Sequence, residues 1–299
     1  MKILLTINKT LPRNGKQELD IAYHYIQKPL EDLGHQVHMY DTVSPVEPDF
    51  RKVVLAFKPD LVFCCFTGNA GMTPYEPWND ILKITRQGKI KTFNFFCDET
   101  WRFENFSKDL CWYFTSCSTP EPSYLEKFKA SGYENIILGC WHVNGDYYPE
   151  TKKEIDISFV GGMTQSRKDF FSGLDVPVTI GQGLSIEELF SFYCRSKIGV
   201  NLSTNANDPE GKTQMKLRVF ELAAARAMVL TEYHPDLEHS FELEKEVITF
   251  KSKEEFEAKA TYYLNNPLEA REVAQRGYNR FVRDHDSKIR LENILDNIK

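Results

Sequence analysis

The sequence has no apolar run near the roughly 18 residues that a membrane-spanning helix needs, no internal repeat and no low-complexity segment. Its opening, MKILLTIN, is too short an apolar stretch for a signal sequence and reads as a first buried strand. It also lacks a basic excess. The net charge is −6, and residues 1–148 carry 16 basic against 18 acidic side chains. A protein that coats nucleic acid needs a positive footprint, so that class is disfavoured. The seven cysteines form no CxxC pair and no zinc-like spacing, and most lie inside apolar runs. They read as small buried hydrophobes in a reducing, cytoplasmic setting. No His/Cys/Asp/Glu set has metal-ligand spacing, so neither a metal nor a cofactor is expected.

What is present is an ordinary globular composition, 41% hydrophobic and 27% charged, in 299 residues. That length favours two domains. Short apolar runs alternate with helical patterns. Strands are expected at 2–8, 35–40, 59–66, 91–97, 111–116 and 135–140, with helices at 17–33, 77–86 and 121–130 between them. The segment 144–153, NGDYYPETKK, has no periodicity and marks a boundary. A second series follows. Strands are expected at 155–160, 176–180, 198–202, 228–231 and 247–250, and helices at 167–174, 186–193 and 217–227. Three helical stripes end the chain, the last through Leu291, Ile294, Leu295 and Ile298. Alternation of this kind predicts two α/β domains with parallel, Rossmann-like sheets.

Open α/β sheets bind ligands at the carboxyl ends of their strands, and two such domains make the cleft between them the expected site. Three loops there carry chemistry. The first is Gly161-Gly162, followed by Gln165, Arg167 and Lys168. Glycines let a phosphate reach the backbone and the two bases add charge, although a tight turn with two solvated bases reads equally well. The second is Lys212–Glu221. Lys216 and Arg218 open a helix, where they oppose its dipole, and Glu221 sits in an apolar stretch, where a bare carboxylate is costly. The third is Asp98-Glu99 after an apolar run, with Trp101, Phe103 and Phe106 behind it. Asp98 suits a general base, a sugar ligand or a helix cap. The aromatics suit a stacking platform or plain packing.

The stretches IGVNLS (198–203), KLRVFELAAARAMVLTEYHPDLEHSFELEKEVITF (216–250) and YYLNNPLEAREVAQRGYNRFVRDHD (262–286) resemble the C-terminal half of glycosyltransferases of the group 1 type. The resemblance extends to the family-1-like group that includes the spore-maturation CgeB proteins. FNFFCDETWRFENFS (93–107) is similar to the other half. The resemblance implies the GT-B fold. It implies an N-terminal acceptor domain at 1–148, a C-terminal nucleotide-sugar domain at 149–286, and a last helix, 287–299, that crosses back to the first domain. Glu221 matches the carboxylate that holds the donor ribose, while Lys216, Arg218 and Arg167 match bases near the diphosphate. The turn at Asp236 and Leu237 matches one whose backbone N–H groups face the nucleotide sugar, with His234 and His239 flanking it. His142 and His285 read as structural. Eight positions before Glu221 the retaining pattern has a second Glu, and here the residue is Thr213.

The function implied is transfer of a sugar from a nucleoside-diphosphate sugar to an acceptor hydroxyl, without metal. Asp98, Arg218 and Glu221 would be catalytic. Gly161, Gly162, Arg167, Lys216, Asp236 and Leu237 would join them in binding substrate. The acceptor stays open among a glycan, a protein, a small molecule and a modified nucleic-acid base. The basic run Lys83, Arg86, Lys89 and Lys91 keeps a DNA base-modifying transferase as an alternative, and a non-catalytic nucleotide- or sugar-binding module is another.

Overall fold

The computed structural model describes residues 1–13, 16–139, 141–204 and 212–298. The chain forms two compact units, Met1–Cys140 with Ser287–Lys299, and Trp141–Asp286.

The first unit holds a parallel six-stranded sheet. Its strands are β1 (Lys2–Ile7), β4 (Gln36–Asp41), β5 (Leu61–Cys64), β6 (Lys91–Phe95), β7 (Ser116–Thr119) and β8 (Ile136–Leu138). Between β1 and β4 a hairpin of β2 (Thr10–Arg13) and β3 (Lys16–Leu19) intervenes. The sheet order is β4-β1-β5-β6-β7-β8. Leu5 of β1 stands between Met39 and Phe63 in register. β1 and β5 are almost wholly apolar because helices cover both faces. The helix Ser287–Asn297 belongs to this unit: Leu291 and Ile294 are buried, and Lys91 Nζ donates to the Ile298 carbonyl at 3.0 Å.

The second unit repeats the plan with five parallel strands: β9 (Ile155–Val160), β10 (Thr179–Gly181), β11 (Ser196–Asn201), β12 (Met228–Glu232) and β13 (Ile248–Phe250). Their order is β10-β9-β11-β12-β13. In both sheets the chain steps from its first strand to one side and then returns to the other. The switch points are β1/β5 and β9/β11. At such a point the two loops diverge and leave a crevice.

Four local expectations change. The division falls at Cys140/Trp141, not after residue 148. Residues 141–148 bond into the second unit, through Trp141 Nε1 to the Met215 carbonyl (3.1 Å), Gly145 N to Asp286 Oδ2 (3.0 Å) and the Tyr148 ring against Phe190. The expected helix 17–33 begins only after Asp20, whose carboxylate accepts from Ala22 N; Lys16–Leu19 is strand. The expected strand 111–116 is a single 3-10 turn, Cys111–Tyr113, and the strand is the polar Ser116–Thr119. A helix at Phe50–Phe57, capped by Asp49, was not anticipated. Cys140, at the end of an expected strand, lies outside the described residues.

Candidate functional site

The second unit's switch point gathers most of the residues singled out from sequence. β9 ends at Val160 and the chain turns at Gly161, whose φ is +154°. A Cβ there would stand 2.8 Å from Arg218 Nη2 and 3.3 Å from Arg167 Nη1. The two guanidinium groups thus converge on one glycine. At Gly162 a Cβ would meet nothing within 4 Å.

Four elements hold the arginines there. Arg167 comes from the helix Gln165–Phe171, and its Nη1 donates to the Gly162 carbonyl at 2.7 Å. Arg218 comes from the first turn of the helix Leu217–Ala224, and its Nη1 donates to Asn201 Oδ1, at the end of β11, at 2.9 Å. Beneath both lies the buried Phe159 of β9, its ring centre 5.5 Å from the Arg167 guanidinium and 4.7 Å from that of Arg218. A ring face attracts cations, so one phenylalanine partly offsets the repulsion between them. Burial, followed by the charge of Arg218, lowers the pKa of Arg167. The arrangement places two half-buried cations side by side at the end of a strand, a geometry that an anion with several oxygens completes.

The helix Leu217–Ala224 is seated by Gly199 of β11, where a Cβ would overlap the Leu222 side chain. That close approach brings Glu221, 5% exposed, to the same end of the sheet. The buried Tyr193 lies within the electrostatic reach of both Glu221 and Arg218. Burial and the charge of Glu221 raise the Tyr193 hydroxyl far above its ordinary value. Nearby, Glu232 at the end of β12 accepts from the backbone N–H groups of Ser203 (2.7 Å) and Thr204 (2.8 Å) and fixes the loop after β11.

The remaining expected residues are placed differently. Lys216 is the N-cap of its helix and is half-buried; its charge, after burial and other groups, acts on His234. Asp236 and Leu237 are buried, and their N–H groups are used inside the turn: Asp236 N donates to His234 Nδ1 and Leu237 N to the His234 carbonyl. The expectation that these two groups face a ligand is corrected accordingly. His285 is buried between the rings of Phe220 and Phe241 and bonds the Ser240 carbonyl at 2.9 Å.

In the first unit, Asp98 follows β6 with φ at +65° and does not cap the helix Glu99–Arg102. Its neighbour Glu99 is buried. Desolvation pushes its pKa up to about 8; Ser107 Oγ donates to its Oε1 at 3.4 Å, and its Oε2 has no partner among the described residues. Phe103 packs on Tyr124 and Phe128, and Phe106 on Trp78 and Phe96, so both belong to the core of this unit. Of the basic run, Lys83 lies 3.9 Å from Asp80 and Lys91 bonds the Ile298 carbonyl. Among the described residues no helix is long and apolar enough to cross a membrane, and no group of three or more His, Cys, Asp or Glu is placed to hold a metal ion.

Residues 148–296 match the family model described as glycosyl transferase-like. The chain is a GT-B glycosyltransferase. No curated protein matches its sequence. Among solved structures it is similar to Anabaena HepE in complex with UDP, with a TM-score of 0.61, 11% identity and 99% of each chain covered. It is also similar to sucrose-phosphate synthase from Thermosynechococcus elongatus, with a TM-score of 0.66, 12% identity, and 97% and 96% covered. A third is an alpha-glucosyltransferase in complex with UDP-glucose and DNA containing an abasic site, with a TM-score of 0.66, 10% identity, and 100% and 99% covered. At these identities the likeness is one of fold. Sequence reasoning gave no role to Phe159, Tyr193, Asn201 or Glu232; Phe159 leads directly into the Gly161 turn, while the others come from elements distant in sequence from it.

Proposed function

We propose that this glycosyltransferase uses a UDP-sugar and transfers its sugar to an acceptor hydroxyl. The observation that carries the reading is the convergence of Arg167 and Arg218 on Gly161, at the switch point of the second sheet. A diphosphate seated there receives donors from both guanidinium groups, while Glu221 takes up ribose hydroxyls. As the glycosidic bond breaks, charge grows on the departing diphosphate, and preplaced cations stabilise it without reorganising. Two arginines supply the countercharge that a metal provides elsewhere.

UDP is the favoured nucleotide because similar folds hold UDP or UDP-glucose: HepE has been solved with UDP, with UDP-glucose, and with UDP and glucose. Asp98, just past the end of β6, is our candidate for the carboxylate that receives the acceptor proton. The six described cysteines are all free thiols, in keeping with a cytoplasmic protein. Neither the DNA base-modifying reading nor the non-catalytic one is favoured by a feature of the site.

The test is release of UDP from UDP-glucose and from other UDP-sugars, with water or an acceptor panel. UDP production that Arg218→Ala reduces at least tenfold supports the reading. No production from any UDP-sugar, from protein that also fails to bind UDP, overturns it.

A further inference from the structure

Arg218 rests on an amide. Its Nη1 donates to Asn201 Oδ1 at 2.9 Å, while its Nη2 is the atom nearest the Cβ position of Gly161. Asn201 ends β11, is fully buried, and is held at its other end too. Its Nδ2 donates to Thr231 Oγ1 at 2.9 Å and to Ser203 Oγ at 3.2 Å. Thr231 is its register partner on β12. Both hydroxyls in turn donate to the Glu232 carbonyl, Ser203 Oγ at 2.9 Å and Thr231 Oγ1 at 3.0 Å. A guanidinium only donates and a carbonyl only accepts, so every bond of this chain has one possible sense. It runs from Arg218 through the amide to two hydroxyls and ends on Glu232. Turning the amide over would set its NH2 against the guanidinium.

The Phe159 ring lies under the guanidinium, and Nε is buried without a partner. The bond from Nη1 therefore sets the roll of the planar fork and leaves Nη2 facing the Gly161 turn. A carboxylate at position 201 would hold the fork as well, but it would also neutralise it. The carboxylate that the network does contain, on Glu232, is turned to the N–H groups of Ser203 and Thr204 and to the Thr204 hydroxyl. We infer that Asn201 is a positioning residue for the donor diphosphate, holding Arg218 in place through a neutral amide so that the guanidinium keeps its charge for the phosphates. The inference rests on the donor-site reading above. Asn201 touches neither substrate nor reacting atoms; it acts through Arg218. Its effect falls on the phosphates and leaves the nucleoside alone.

Asn201→Ala frees the fork, and UDP affinity should fall about tenfold, as expected when one bond to a charged group is lost. Uridine, which has no phosphate, should bind the variant as it binds wild type. Asn201→Asp keeps the shape of the side chain and still accepts from Arg218, but as an ion pair. It should weaken UDP binding by more than Asn201→Ala does, about 30-fold or more, because its charge offsets that of the arginine. The decisive readout is the double-mutant cycle with Arg218→Ala, scored by UDP affinity. In the Arg218→Ala background, Asn201→Ala should change UDP affinity by less than about twofold. A merely structural asparagine would weaken UDP and uridine alike, and would give the same loss with or without Arg218; that result overturns the inference. A folded Asn201→Asp protein that binds UDP like wild type overturns it too. If the Asp variant does not fold, the cycle with Asn201→Ala decides alone. A wild-type protein that does not bind UDP defeats the donor-site reading itself, whereas intact UDP binding with equal losses in both backgrounds defeats only the role of Asn201.

Discussion

Adding a single methyl group at either of two adjacent glycines separates the proposed phosphate site from ordinary loop structure. At Gly161 the new Cβ stands 2.8 Å from Arg218 Nη2 and 3.3 Å from Arg167 Nη1, in backbone of φ +154° that L-residues seldom adopt. The folding cost should stay near 1–2 kcal/mol. The close atoms are the ends of flexible side chains that can swing away, so the strained φ is the main cost. Binding is another matter. The methyl occupies the point on which both cations converge, so a phosphate loses close approach to the backbone and at least one charge-assisted bond. At about 2 kcal/mol or more, Gly161→Ala should weaken UDP binding by roughly 30-fold or more. Gly162 has open space around its Cβ position and lies outside the left-handed region. Gly162→Ala should bind UDP within about twofold of wild type and gain about 0.4–1 kcal/mol of stability from the stiffer unfolded chain. Calorimetric titration of the two variants, with urea unfolding of each, checks both halves. Equal losses of affinity, or a Gly161→Ala variant that binds like wild type, would refute the geometry.

Other outcomes follow from the same site. Glu221→Gln keeps the size of the side chain but loses the charge, so its melting temperature should barely change while UDP affinity falls about 30- to 150-fold, or 2–3 kcal/mol. An unchanged affinity with a lowered melting temperature would make Glu221 structural. Because two arginines face the diphosphate, turnover should survive EDTA; loss of activity that Mn²⁺ or Mg²⁺ restores would contradict that assignment. Glu99 titrates near 8 when folded, against an ordinary 4.5. The folded state therefore holds the proton more tightly, and the stability this gives is complete below about 4.5 and lost as pH rises through about 8. The slope is at most about 1.4 kcal/mol per pH unit, and Glu99→Gln should remove it. Urea midpoints of both proteins at about pH 5 and about pH 7.5 measure this, and parallel changes in the two would count against a neutral buried Glu99.

Much of this fold is legible in sequence because parallel strands buried on both faces are nearly pure apolar runs, as Leu61–Cys64 and the first three residues of Met228–Glu232 are. Ser116–Thr119 escaped notice for the opposite reason: it is a buried strand of small polar residues whose neighbours β6 and β8 satisfy its backbone. The affiliation of residues 141–148 is set by bonds to Met215 and Asp286, far along the chain, which no local pattern reveals. At the site, Gly161, Arg167, Arg218 and Glu221 were accessible through glycine, charge and helix position together with the family resemblance. Phe159 and Asn201 looked like strand residues. Their roles depend on β9 and β11 being neighbours at a switch point. The turn at Asp236 and Leu237 shows the reverse case. The family resemblance implied N–H groups facing a ligand there, but the preceding histidine uses both.

The central claim is that a nucleoside diphosphate binds where Arg167 and Arg218 meet Gly161. Calorimetric titration of UDP into the wild-type protein and into the Arg167→Ala/Arg218→Ala double variant tests it most directly. Wild type should bind with one site per chain. The double variant should keep its fold and lose at least about 100-fold in affinity, because two charge-assisted contacts of about 1.5–3 kcal/mol each are gone. Equal affinity in the two proteins would place the diphosphate elsewhere and contradict the account.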